Sequence, residues 1–270
     1  MKKQWLGLAV LAVLALGGCG QKQSTSQSTS NAKSSKVSSK KSKAKAKAKA
    51  SSSSSQASSS TAAPTQTHLA TLQSALHKQI PGVKFPQQDP AASGQALNVA
   101  AEGTAASYKL YFSFGAAAAF QASTLPRANA PYVLTKTTPE STAAAQAADA
   151  AINYQTLQAG LPTIALGDGL TGTKEGAAGS TYVTWHEGRW SLVASGVNQN
   201  QEDPVALAKQ AVSFLAQASL PIPATHGAVV LRVAKSSDRV NTVAWRENSA
   251  YYQLSGIDPL MTLRLATLLR

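Results

Sequence analysis

The sequence predicts an α+β domain: an antiparallel sheet covered on one face by helices, with an internal strand–hairpin–helix repeat, behind a disordered N-terminal stalk. Three observations carry this. Thr181–Leu192 and Thr242–Leu254 share an order of Thr, Val, Trp and Glu that sorts onto one face when each is folded as a hairpin. Each stretch is followed by Asp-Pro and aliphatic residues at helical spacing. Residues 20–66, by contrast, are mostly Ser, Lys, Ala, Gln and Thr, with Val37 the single large aliphatic residue. Such a composition does not bury enough to offset the entropy of ordering.

Each element has its own signal. Over residues 67–80, Leu69, Leu72, Leu76 and Ile80 fall on one helical face, and Pro81-Gly82 ends the helix. Leu97–Glu102 and Tyr108–Phe114 read as a hairpin around Gly103-Thr104, the second arm alternating Tyr108, Leu110, Phe112 and Phe114 with polar or amphipathic residues. Tyr132–Lys136 reads as a strand. Thr138-Pro139-Glu140 then offers a cap, a first-turn proline and an acid for a helix running to about Tyr154.

In the repeat, Thr163–Leu166 and Ala228–Ala234 are expected strands before the two hairpins. With Glu187-Gly188 and Asn248-Ser249 as turns, Trp185 faces Trp190 and Val183 faces Leu192, while Trp245 faces Tyr252 and Val243 faces Leu254. Asp203-Pro204 then introduces Val205, Ala208, Val212 and Leu215, and Asp258-Pro259 introduces Leu260, Leu263, Leu265 and Leu268. The copies span residues 163–217 and 228–270, and residues 97–154 are a candidate third.

At the N-terminus, Lys2 and Lys3 precede an apolar run from Trp5 to Leu16. That run is shorter than the about 20 residues a membrane span needs and fits the roughly 7–15 of a signal peptide's apolar region. Leu16-Gly17-Gly18-Cys19 resembles the lipobox of bacterial lipoproteins. The resemblance implies cleavage before Cys19, a diacylglyceryl group on its sulfur with palmitate among the acyl chains, and residence on the extracytoplasmic face of the cell membrane of a bacterium, Gram-positive by expectation. The division is then residues 1–18 as signal peptide, 19–66 as lipidated cysteine and stalk, and 67–270 as the folded domain. Cys19 is the chain's single cysteine, so no disulfide claims it.

Charge separates tether from domain. The net +13 comes chiefly from nine stalk lysines with no acid among them. From residue 67 on, 14 Lys and Arg meet 12 Asp and Glu. A fold so nearly neutral argues against nucleic acid as a partner. The stalk lysines suit anionic lipid, at about 1 kcal/mol each near the surface, or an anionic wall polymer; a plain soluble spacer is the other reading.

Candidate chemistry is sparse. His68, His77, His186 and His226 have no metal-ligand spacing, and no cofactor motif is legible. His186-Glu187 is conceivable as an acid–base pair, but Arg246 replaces the histidine in the second copy. Glu187 and Glu247 read as structural carboxylates bonding nearby backbone N–H groups. As a retaining glycosidase pair they would have to lie about 5 Å apart. Ser38–Lys41 matches Ser-x-x-Lys but lies in the stalk. Gly167-Asp168-Gly169 and Gly176–Gly179 lack the strand-to-helix setting of a phosphate loop. Trp185, Trp190, Trp245 and Tyr252 are either core or a platform for sugar rings, and core is the expectation.

The string Tyr-Val-x-Trp-x-Glu-Gly-x-Trp-Ser at 182–191 resembles uncharacterised lipoproteins of lactic acid bacteria, a likeness over roughly 150 residues that implies no activity. The expected function is a membrane-anchored cell-envelope binding or interaction module. A cell-envelope hydrolase without a recognisable catalytic set and a small solute receptor are the alternatives. For the anchor, Cys19→Ser is expected to abolish fatty-acid labelling and leave a precursor uncleaved at Gly18. Labelling equal to wild type overturns the lipoprotein reading.

Overall fold

The computed structural model describes residues 63–270 apart from residue 235. The expected signal peptide, Cys19 and the expected stalk through residue 62 lie outside the described residues. Ten strands form one sheet: β1 (Ala96–Gly103), β2 (Tyr108–Gly115), β3 (Tyr132–Thr137), β4 (Thr163–Gly167), β5 (Leu170–Ala177), β6 (Ser180–Glu187), β7 (Trp190–Val197), β8 (Gly227–Arg232), β9 (Asn241–Glu247) and β10 (Ala250–Gly256). Four α-helices accompany them: α1 (Ala63–Gln79), α2 (Thr142–Ala151), α3 (Pro204–Leu215) and α4 (Pro259–Leu268). The strand order is β1-β2-β3-β10-β9-β8-β7-β6-β5-β4.

The sheet is mostly antiparallel, and β7–β8 is a parallel pair. That pair departs from the all-antiparallel expectation for a topological reason. The chain leaves β7 through α3 and returns beside it, and such a crossover brings the next strand back in the same direction.

Other boundaries move for local reasons. Residues 63–66, read as stalk, belong to α1, where Pro64 sits in the first turn and costs no hydrogen bond. Helix α2 starts not at Thr138 but at a Ser141 cap, whose hydroxyl accepts the Ala144 N–H at 3.1 Å. The Thr138 hydroxyl is already committed, donating to the Ala106 carbonyl at 2.8 Å. Strand β5 has no counterpart in the sequence reading, because Leu170–Ala177 is half exposed and lacks apolar alternation. The glycines around it are hairpin turns: Asp168-Gly169 and Ala178-Gly179 each take two left-handed residues, as tight loops between twisted strands require.

The second hairpin keeps the expected register, with Trp245 opposite Tyr252, Val243 opposite Leu254 and Asn248-Ser249 as its loop. The first is shifted by two residues. Its loop is Gly188-Arg189, so Trp185 faces Leu192, Val183 faces Ala194 and Glu187 faces Trp190. A slip of two preserves every residue's face, which is why the expected inward set survives. Gly188, at φ 56°, takes the left-handed corner that Glu187 would have had to share.

One core joins α1, α3 and α4 to the inward residues of the sheet, among them Leu110, Leu134, Val183, Leu192, Val229, Val243 and Leu254. Helix α2 departs from the single-face expectation. Ala148 on α2 and Ile152 just beyond it pack with Ala228, Ala244 and Tyr251, which alternate with inward-facing neighbours and so belong to the other face. Arg246 on that face meets Asp149 of α2 at 2.7 Å.

The aromatic set is core. Trp185 and Trp245 are fully buried, and Trp190 and Tyr252 are each only 6% exposed. Trp245 stacks on Tyr252 with centroids 5.1 Å apart and lies 6.3 Å from Trp190. Trp185→Ala or Trp245→Ala is therefore expected to cost roughly 3–5 kcal/mol, as deletion of a large buried ring does, read from denaturant midpoints. A loss under about 1 kcal/mol in both would place the rings in water.

Candidate functional site

Helices α3 and α4 start from the same device. Asp203 accepts the N–H groups of Val205 and Ala206 at 2.9 and 3.1 Å, and Asp258 accepts that of Met261 at 2.9 Å. Each cap occupies donors the first turn leaves free. Both helices turn Leu, Ala and Val side chains into the core: Leu207, Ala208, Ala211 and Val212 from α3, Leu263, Leu265 and Ala266 from α4. Their flanks enclose a cavity of about 560 Å³.

Phe214 and Gln210 of α3, Leu260, Met261 and Arg264 of α4, Ile257 and Asp258 of the β10–α4 link, and Tyr132 at the start of β3 line it. Phe214, Ile257, Leu260 and Met261 are half-buried, presenting apolar surface to the cavity while their other sides pack on the core. A mostly apolar wall with a few polar groups is the usual make-up of a small-molecule site.

Tyr132 is the polar group set deepest, at 5% exposure. Its ring is held edge-on to Phe114, centroids 5.6 Å apart, and lies over Gly256, where a Cβ would collide with it. Its hydroxyl makes no hydrogen bond to any described residue. Burial, and secondarily the Asp258 carboxylate, push its pKa well above the ordinary tyrosine range. The group is therefore a neutral phenol with an unspent donor. Arg264 stands exposed at the rim, making no ion pair with a described residue. A further hollow of about 660 Å³ shares Phe214, Gln210 and Arg264 and adds Lys209, so the rim is cationic.

The residues singled out from sequence go elsewhere. His68 meets the Leu97 carbonyl and the Asn98 side chain at 3.1 and 3.3 Å, and His77 meets the Gln73 carbonyl of its own helix at 2.8 Å. His186 and Glu187 point to opposite faces of β6. His186 Nε2 lies 2.8 Å from the Gln155 carbonyl, while Glu187 accepts the Trp185 indole N–H at 2.9 Å. Glu247 instead pairs with Lys84 at 2.9 Å. The backbone partners expected for both glutamates are thus replaced by side chains. His186 and His226 both lie against the Tyr154 ring, at 5.3 and 4.8 Å between centroids. Ser38 and Lys41 lie outside the described residues.

Sequence reasoning passed over the cavity residues because Phe214, Leu260 and Met261 read as ordinary helix core. The Asp-Pro pairs are the available signal, since they mark two helices that start alike. No family model matches this chain, and no curated protein or solved structure is significantly similar to it.

Glu187 supplies a pH test. Burial raises its pKa above 4.5, partly countered by the Trp185 hydrogen bond. A carboxyl that holds its proton more tightly folded than unfolded makes stability fall as pH rises through that interval. Glu187→Gln keeps an oxygen for the indole and is expected to flatten that fall, measured by denaturant midpoints between about pH 4 and pH 7. An unchanged slope would assign the pH dependence to other groups.

Proposed function

We propose that this chain is a lipid-anchored extracytoplasmic binding module, held to the cell membrane through a diacylglyceryl group on Cys19 and the 19–66 spacer. Its folded domain takes a small amphipathic ligand in the cavity between α3 and α4. The observation that carries the ligand reading is the Tyr132 hydroxyl, which makes no hydrogen bond to a described residue and opens onto an apolar cavity whose rim bears a guanidinium with no ion pair to a described residue. That donor is placed to give a hydrogen bond to a ligand oxygen.

A ligand with an aliphatic body and a carboxylate head meets each demand. The body lies on Phe214, Leu260 and Met261, one oxygen accepts from Tyr132, and Arg264 faces the charge. A binding role is preferred to catalysis because His186 and Glu187 diverge from a common strand and so share no reacting atom. The two hairpin–helix units, β6–β7–α3 and β9–β10–α4, are read as copies of one ancestral strand–hairpin–helix element, which accounts for the paired Asp-Pro starts that frame the cavity.

The test is calorimetric titration of the 63–270 domain with decanoate below its micelle concentration, with decanol as the uncharged control. Decanoate is expected to bind the more tightly, and Arg264→Gln to remove that preference, about tenfold for a charge-assisted hydrogen bond. Tyr132→Phe keeps the ring and is expected to weaken both ligands. No binding of either, or equal binding by wild type and both variants, overturns the cavity as the site.

A further inference from the structure

The face of the sheet away from α3 and α4 carries a second hollow, of about 900 Å³, over β3, β10 and β9. Its floor is set by register. Thr135 of β3 lies opposite Gln253 of β10, and Ser255 of β10 lies opposite Thr242 of β9, giving a stepped line of four polar side chains across three adjacent strands. These positions alternate with buried Leu134, Leu254 and Val243, so they face outward together. Asn129 and Arg239 form part of the walls.

Three of the four floor groups, Thr135, Thr242 and Ser255, make no side-chain hydrogen bond to any described residue, and Gln253 accepts only a long one, 3.3 Å, from Tyr251. Arg239 is fixed in place by donating to the carbonyls of Ala128 and Ala130 at 3.3 and 2.8 Å. Both bonds use the same terminal nitrogen, which leaves its other N–H groups for a ligand. The hollow therefore gathers hydroxyl and amide groups able both to donate and to accept, with little apolar surface between them.

We propose that this hollow is a second binding site, for a short neutral oligosaccharide whose hydroxyls exchange hydrogen bonds with Thr135, Thr242, Gln253 and Ser255. The site is independent of the cavity between α3 and α4, being on the opposite face. An array of donor–acceptor groups matches a polyol, and the Arg239 guanidinium is matched by the Asp238 carboxylate on the same wall, so the hollow is not an anion site.

The experiment uses the full-length chain in detergent micelles, titrated by calorimetry with cellotetraose, maltotetraose and the β-1,4-linked tetramer of N-acetylglucosamine at low-millimolar concentration. At least one is expected to bind. Gln253→Ala and Thr242→Val are expected to weaken it by about tenfold each, by removing hydrogen-bond partners, with the thermal midpoint of unfolding close to wild type. Arg264→Gln, on the other face, is expected to leave sugar binding unchanged. Binding of none of the three, or binding that both floor variants leave intact, overturns the proposal. Should either floor variant fail to fold, Thr135→Ser, which keeps the hydroxyl, and Thr135→Val, which removes it, carry the same comparison: equal binding by the two counts against the site.

Discussion

The sheet depends on how four large rings share one row. Read across the strands, Glu187, Trp190, Gly227, Trp245, Tyr252, Lys136, Tyr108 and Gly103 are successive cross-strand partners on the core face, from β6 to β1. Trp190 needs the space above its neighbour. Gly227 supplies it, since a Cβ there would lie 2.5 Å from the Trp190 ring. The gap lets Trp190 approach Trp245 across an intervening strand. That strand is the one β7 meets in parallel, so the aromatic contact also spans the parallel pair. Farther along, Lys136 lies over both Tyr108 and Tyr252, its stem covering the row and its ammonium donating to the Ala105 carbonyl at 2.7 Å.

The two hairpins solve the same problem differently. In each, a buried tryptophan is followed two residues later by a glutamate on the same face. Glu187 accepts the Trp185 indole N–H, and burial without a cation then raises the carboxyl's pKa. Glu247 is drawn away by Lys84, which holds the segment after α1 to the end of the hairpin. The consequence is that Trp245 Nε1 is buried with no partner. One hairpin satisfies its indole and leaves a carboxylate without a counter-ion among the described residues. The other pairs its carboxylate and leaves an indole unsatisfied. The same local sequence thus yields two environments once a lysine from elsewhere in the chain reaches one of them.

This divergence marks what the sequence could and could not reveal. The inward and outward sets of both hairpins were readable because alternation is a local property, and Trp245, Tyr252, Val243 and Leu254 take their expected partners. The register of β6 with β7 was not, because loops at Glu187-Gly188 and Gly188-Arg189 put the same residues inside. The Asp-Pro starts of α3 and α4 were legible as caps, since the cap and the first-turn proline act within four residues. The cavity they frame was hidden, as it joins Tyr132, Phe214 and Arg264 from three distant segments. Thr135, Thr242, Gln253 and Ser255 read as an ordinary solvated strand face, and only the pairing of β3, β10 and β9 gathers them.

Cavity and polar hollow are set by one alternation. Tyr132 and Thr135 lie on β3 with opposite orientation, and Gly256, which clears room for the Tyr132 ring, follows Ser255 on β10. Asn241 secures this corner from within. It is fully buried, donates to the Gly256 carbonyl at 3.1 Å and accepts the Arg232 N–H at 2.8 Å, standing next to Thr242 on the floor of the hollow. A one-residue slip of β10 against β3 would turn Ser255 inward beneath Tyr132 and carry Gly256 to the open face. The buried amide, the glycine and the tyrosine ring each oppose that slip, by unpaired hydrogen bonds in one case and by steric collision in the others. The polar face is therefore held in place by packing on the side it does not touch.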